Sequence, residues 1–204
     1  MIAPLATRLV HGWRMTRLPS VLTPTDLPFA ELRAMQLDGL LVAVDDAFAT
    51  IDAPPSPTQR AGSIAAYCQQ RLIAEQHTAA WIWGAIPQPP RRHELCVSIG
   101  ARARSSAPTL LAVREVVIAS NEIVLLGSVR VTTPLRTIMD LARFQDEFEP
   151  DLITALLRVS GLTLDYCIAE LQARPNLPRK KLALQRLTSL SAGRTPRAPT
   201  SLNS

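Results

Sequence analysis

The side chains that could do chemistry in this chain stand far apart. Its 204 residues include three histidines, His11, His77 and His93, and three cysteines, Cys68, Cys96 and Cys167. No histidine has an acid or cysteine at metal-ligand spacing and no C-x-x-C occurs, so neither a zinc centre nor a disulfide framework is expected. The cysteines are read as buried thiols and the histidines as structural, with His77 beside Thr78 placed to assist a helix cap. No glycine-rich phosphate cradle and no nucleophile elbow is present. The stretch "VTTPLRTIMDLAR", Val131 to Arg143, contains a single acid, Asp140. One carboxylate with no histidine, cysteine or second acid near it makes no acid–base pair. The acidic run Asp146, Glu147, Glu149 and Asp151 is explained most simply by the favourable field at the N-terminus of a following helix. The reading is a protein that is not an enzyme, with no catalytic residue, no metal and no cofactor.

The basic residues carry more information. Net charge is +5, unevenly spread. Residues 1 to 59 hold four arginines against six acids, residues 60 to 144 ten arginines against five acids, and residues 145 to 204 eight basic residues against six acids. A positive middle attracts nucleic acid or an acidic protein, and charge alone does not separate the two. Arg91, Arg92, His93, Arg102 and Arg104 flank the strand-like "ELCVSI" in loops. They read either as a solvated loop surface or as a docking patch for an acidic groove. Apart from Lys180 and Lys181 every cationic side chain is arginine, a usage that genomic base composition also explains.

The elements that must position these groups follow from periodicity and turn chemistry. Hydrophobic content of 47% excludes a disordered chain, while 17 prolines against 8 glycines indicate stiff connections. No apolar run of about 18 residues and no signal-peptide pattern is present, so a cytoplasmic location without membrane contact is expected. Thr23, Pro24 and Asp26 resemble a helix start, and "FAELRAMQL" then places Phe29, Leu32 and Leu37 to be buried by a short second helix that Gly39 ends. "LLVAV" and "AFATI" flank Asp45-Asp46 as a hairpin. Helix, turn, helix and hairpin predict a winged helix-turn-helix over residues 1–57, closed by Pro54, Pro55 and Pro57.

A second unit, 58–192, should begin with a helix from about Ser63 to Gln76 and a shorter one, "TAAWIWG". One of Trp81 and Trp83 would enter the core and the other cover a neighbouring element. "ELCVSI", "AVREVVI" and "EIVLLGSVRV" read as strands with a turn at Gly127-Ser128. In the Val131–Arg143 stretch Thr133 caps and Pro134 starts a helix. Its apolar face is Leu135, Ile138, Met139, Leu141 and Ala142, with Arg136, Asp140 and Arg143 outside that face or at its edge. Helices near Asp151–Ser160, Leu164–Ala173 and Arg179–Ser191 follow, and residues 193–204 read as a disordered tail. The fold class is α+β: a winged helix-turn-helix, then a mixed α/β domain with C-terminal helices.

Three segments in order, "LTPTDLPFAELRAMQLDGLLVAV", "HTAAWIWGAIPQPPRRHELCVSI" and "EIVLLGSVRVTTPLRTIMDLAR", resemble the AbiEi family of antitoxins from type IV toxin–antitoxin systems, in its actinobacterial form. The likeness spans roughly residues 18 to 190. It implies an antitoxin that neutralises a cognate nucleotidyltransferase-like toxin by protein–protein binding, with operator DNA as a second ligand through which it represses its own operon. The alternative is a transcriptional regulator whose second domain mainly dimerises or positions the winged helix. Some relatives continue into a restriction-endonuclease-like domain, whereas no strand carrying D then E-x-K is visible here. The toxin contact is expected at Arg91, Arg92, Arg102 and Arg104. DNA contact is expected at Arg14 and Arg17 on phosphates and at Arg33 and Gln36 on the presumed recognition helix. An acidic wing tip, Asp45-Asp46, departs from the pattern, because phosphate neutralisation supplies most duplex affinity.

Overall fold

The computed structural model describes residues 21–68, 71–99 and 110–193. Within them the fold is mixed α/β, with seven α-helices, a two-stranded hairpin and a five-stranded sheet. The expected helix start at Thr23 is instead a turn. Asp26 accepts from both the Thr23 backbone N–H (2.8 Å) and its hydroxyl (2.7 Å), which closes the segment locally. Helix α1 (Phe29–Leu37) follows. Leu32 is fully buried, but Phe29 and Leu37, expected inside, are 59% and 84% exposed. Gly39 ends the helix at φ +75°.

Strands β1 (Leu41–Val44) and β2 (Ala47–Thr50) form the expected hairpin, with Val44 opposite Ala47 across the Asp45-Asp46 turn. Leu41 and Phe48 join Leu32 in a small core, and Leu22 adds a bridge to Phe48.

The helix expected over 63–76 lies earlier. Helix α2 (Pro57–Ser63) starts at Ser56, whose hydroxyl accepts from the Gln59 N–H while the Gln59 side chain accepts from the Ser56 N–H. That capping box, followed by proline at the first helical position, sets the start. A boundary at residue 57 therefore falls on the first turn of α2. Strand β3 (Ile73–Ala74) is only two residues long, too short to show a period, and was missed for that reason.

Helix α3 (Gln76–Ile82) stops before Gly84 at φ +88°. Strands β4 (His93–Ser98), β5 (Leu111–Val116), β6 (Ile123–Leu126) and β7 (Val129–Thr132) complete the sheet, in the order β5-β4-β3-β7-β6. The short β3 is central, antiparallel to β4 and parallel to β7. One face buries Leu95, Val97, Leu111, Val129 and Val131 with Ala61, Ile64, Trp81 and Ile82 from α2 and α3. Trp81 is in this core. Trp83 lies against it and donates its ring N–H to the Thr132 carbonyl at 2.9 Å, so the two tryptophans divide as expected.

Helix α4 (Pro134–Phe144) is capped by the Thr133 hydroxyl, 3.3 Å from the Arg136 N–H. With α5 (Pro150–Ser160), α6 (Leu164–Ala173) and α7 (Lys180–Ala192) it forms a second core around Ile138, Met139, Ala142, Leu156 and Leu171. Gly161 ends α5 at φ +69°. Cys68, Cys96 and Cys167 are buried free thiols. No single helix among the described residues is long and apolar enough to cross a membrane.

Candidate functional site

The charged residues of α4, expected at the edge of its apolar face, are buried with it. Arg136, Asp140 and Arg143 are 4%, 1% and 3% exposed. Asp140 is the hub. One oxygen accepts from Arg136 Nε at 2.9 Å and Arg114 Nη2 at 3.3 Å, and the other from Arg143 Nη1 at 2.9 Å. Arg114, on β5, also grips Glu75 with two bonds of 2.5 and 2.6 Å. Arg136 continues to Glu122 at 2.6 Å, and Glu122 also accepts from Arg174. Three carboxylates and four guanidiniums thus join the end of β3, strand β5, the turn before β6, helix α4 and the end of α6.

Electrostatics explains why the cluster holds. Burial pushes Glu75 above the usual carboxylate range, and Arg114 offsets this only in part. Burial acts the same way on Glu122, but the Ala119 N–H, Arg174 and Arg136 outweigh it and hold Glu122 below its ordinary value. Burial lowers Arg143. Asp140 opposes that, and Arg136, Arg114 and Arg174 add like-charge repulsion. The guanidiniums of Arg114 and Arg143 also stand 4.2 and 4.4 Å from the centre of the Phe144 ring. No buried side-chain nitrogen or oxygen among the described residues lacks a hydrogen bond, so the network is closed. The chain enters it under strain, since Gln76, directly after Glu75, takes φ +48°.

Sequence reading missed this cluster because its partners lie up to 52 residues apart. Only Arg136 and Arg143, four and three residues from Asp140 on one helix, were open to inspection. Glu75 is the second acid that the linear sequence did not place near Asp140. Both are about 1% exposed.

The histidines are also tied. Glu94 stands 3.0 Å from His77 Nδ1 and Glu149 2.7 Å from Nε2, each carboxylate placed to accept from the ring. The Glu94 bond outweighs the opposing effect of burial and, with Glu149, raises His77 to about 9. Glu149 is thereby used by His77 and makes no side-chain cap to α5, while Asp151 lies in that helix's first turn. His93 is no surface loop residue. It is the buried first residue of β4, with Nε2 3.0 Å from Asp45. Asp46 accepts from the Tyr67 hydroxyl. The hairpin tip, expected to oppose a duplex, meets the second unit through His93 and Tyr67.

Among the expected contact residues, Arg91 and Arg92 are exposed just before β4, and Arg92 donates to the Leu111 carbonyl at 2.9 Å. Arg102 and Arg104 lie outside the described residues, as do Arg14, Arg17 and His11. Arg33 is exposed on α1 and donates to the Gln36 side chain at 2.6 Å. Thus Arg33 and Gln36 are brought together, with Phe29 and Leu37 on the same open side of the helix. No group of three or more histidines, cysteines or acids able to hold a metal occurs among the described residues.

No family model matches this chain and no curated protein matches it. Among solved structures it is similar to the crystal structure of the RV2827C protein from Mycobacterium tuberculosis, at 19% identity and a TM-score of 0.47, covering 87% of this chain and 73% of that one.

Proposed function

We propose that this protein is an antitoxin of the AbiEi type, which neutralises a nucleotidyltransferase-like toxin by binding it through an arginine-rich surface. The carrying observation is how the acids of the middle segment are used. Of the five acids between residues 60 and 144, Glu75, Glu94, Glu122 and Asp140 are consumed by internal arginines or by His77. Arg91 and Arg130 meanwhile are exposed. The positive charge is thus left outside, where it suits an acidic protein surface, since complementary potentials speed encounter and fix register. In this reading the "VTTPLRTIMDLAR" helix is scaffold, and its carboxylate organises arginines instead of moving protons.

Helix α1 with its hairpin is proposed as a winged-helix-like unit. Its open side, with Phe29, Leu37 and one cation already engaged by Gln36, fits a protein contact better than a phosphate-lined groove. Operator binding is the subordinate part of the proposal.

The test is co-expression with the protein encoded beside this chain, read by growth and by co-purification. A complex that relieves growth arrest is expected. Arg91→Glu with Arg130→Glu should slow association by about tenfold and make it more sensitive to salt. Absence of any complex at low salt, with both proteins folded, would refute the antitoxin reading. Tight sequence-specific DNA binding in the same preparation would favour the regulator instead.

A further inference from the structure

Between the hairpin, helix α2 and the loop after α3 lies a groove of about 500 Å³. That volume falls within the range of small-molecule sites, which often form where two units meet. Its walls are largely apolar, with Val42 and Val44 on the hairpin side and Pro87 and Pro89 on the other, and Arg60 contributes a cation. Arg60 is half-buried. Its Nη1 donates to the Trp81 carbonyl (2.5 Å) and the Ile86 carbonyl (3.3 Å), which caps the end of α3. No hydrogen bond among the described residues uses Nη2 or Nε.

Arg60, like Arg186 with its Ala142, Gln145 and Asp146 carbonyls, differs from the arginines of the charged network. Arg114, Arg136, Arg143 and Arg174 each meet a carboxylate. Arg60 meets the Trp81 and Ile86 carbonyls and stands 5.9 Å from the centre of the Trp81 ring, with no carboxylate as an ion-pair partner among the described residues, and burial lowers its pKa. A desolvated guanidinium beside open apolar space lacks its counter-ion, and a planar carboxylate matches its fork. The nearby acid Asp45 is already held by His93 and leaves Arg60 uncompensated.

The geometry points to a binding site for a small carboxylate with an apolar body, of the aryl or medium-chain alkyl class. The carboxylate sits on the open edge of Arg60 and the body lies against Val42, Val44, Pro87 and Pro89. Such a ligand touches the hairpin and the second unit together, so its binding stabilises their docking. Its lining includes neither Arg91 nor Arg130, which are assigned to the toxin.

Isothermal titration of the full chain with 2-naphthoate, beside the neutral isostere 2-naphthamide, tests the site. One saturable site for naphthoate is expected, with the amide weaker by about tenfold or more, the value of one charge-assisted contact. Arg60→Met should remove that preference. Ala43→Trp, at an exposed position on the groove wall, should abolish binding while circular dichroism stays unchanged, and it serves as the probe if Arg60→Met fails to fold. Equal affinity for naphthoate and naphthamide, no binding by the folded wild type at millimolar naphthoate, or binding that survives Ala43→Trp would each overturn the proposal.

Discussion

Asp140 shows how one side chain can look inert in sequence and be central in the fold. It is 1% exposed and takes hydrogen bonds from three arginines, so removing its charge leaves buried guanidiniums without a counter-ion. Breaking such a pair costs about 3–5 kcal/mol. Asp140→Asn should therefore lower the unfolding free energy measured in urea by an amount of that order. Glu115→Gln, at an exposed site in β5, should change it by less than about 0.5 kcal/mol. His77 makes a pH prediction. Its folded value is raised from 6.5 to about 9, so its contribution is complete below the unfolded value and is lost as pH rises through the folded one. The thermal midpoint of the wild type should fall between pH 6.5 and 9, and His77→Gln should flatten that part of the curve. A wild-type profile unchanged by the substitution would show that the Glu94–His77–Glu149 bridge contributes nothing.

At the scale of elements, a cap followed by proline serves as the rule for a helix start, although at Thr23-Pro24 it gives a turn. Thr133-Pro134 and Ser56-Pro57 both follow that rule, but only the first was recognised. Thr133→Ala should lower stability by about 1 kcal/mol, seen as a reduced melting temperature, because the Arg136 N–H loses its hydroxyl partner. The strands β4 to β7 and the turn at Gly127-Ser128 were also readable, since alternation and turn residues are local signals. The short strand β3 was not. Its two residues are held by β4 and β7 on either side, so its structure is set by distant partners and not by its own pattern.

At the scale of the molecule, the hairpin tip bears on how the chain can be divided. Asp45 pairs with His93 and Asp46 with Tyr67, tying the first unit to the second across the proline-rich segment. A fragment beginning at residue 60 lacks the first turn of α2 and its Ser56–Gln59 cap. It should melt lower than one beginning at Pro55, and both should melt lower than the full chain. Equal melting of the two fragments would mean that the capping box and the first turn of α2 contribute nothing.

The sequence by itself determined the mixed α/β class, the hairpin, the strands from β4 onward and the C-terminal helices, because each rests on periodicity and turn chemistry within a few residues. It also placed the excess of arginine in the middle segment. Only the tertiary structure decided which of those arginines are interior. Arg114 in that segment, and Arg174 beyond it, look as exposed in sequence as Arg91, yet they meet Glu75 and Glu122 across 39 and 52 residues. A buried charge persists only where packing delivers its partner, and that delivery is a property of the whole fold.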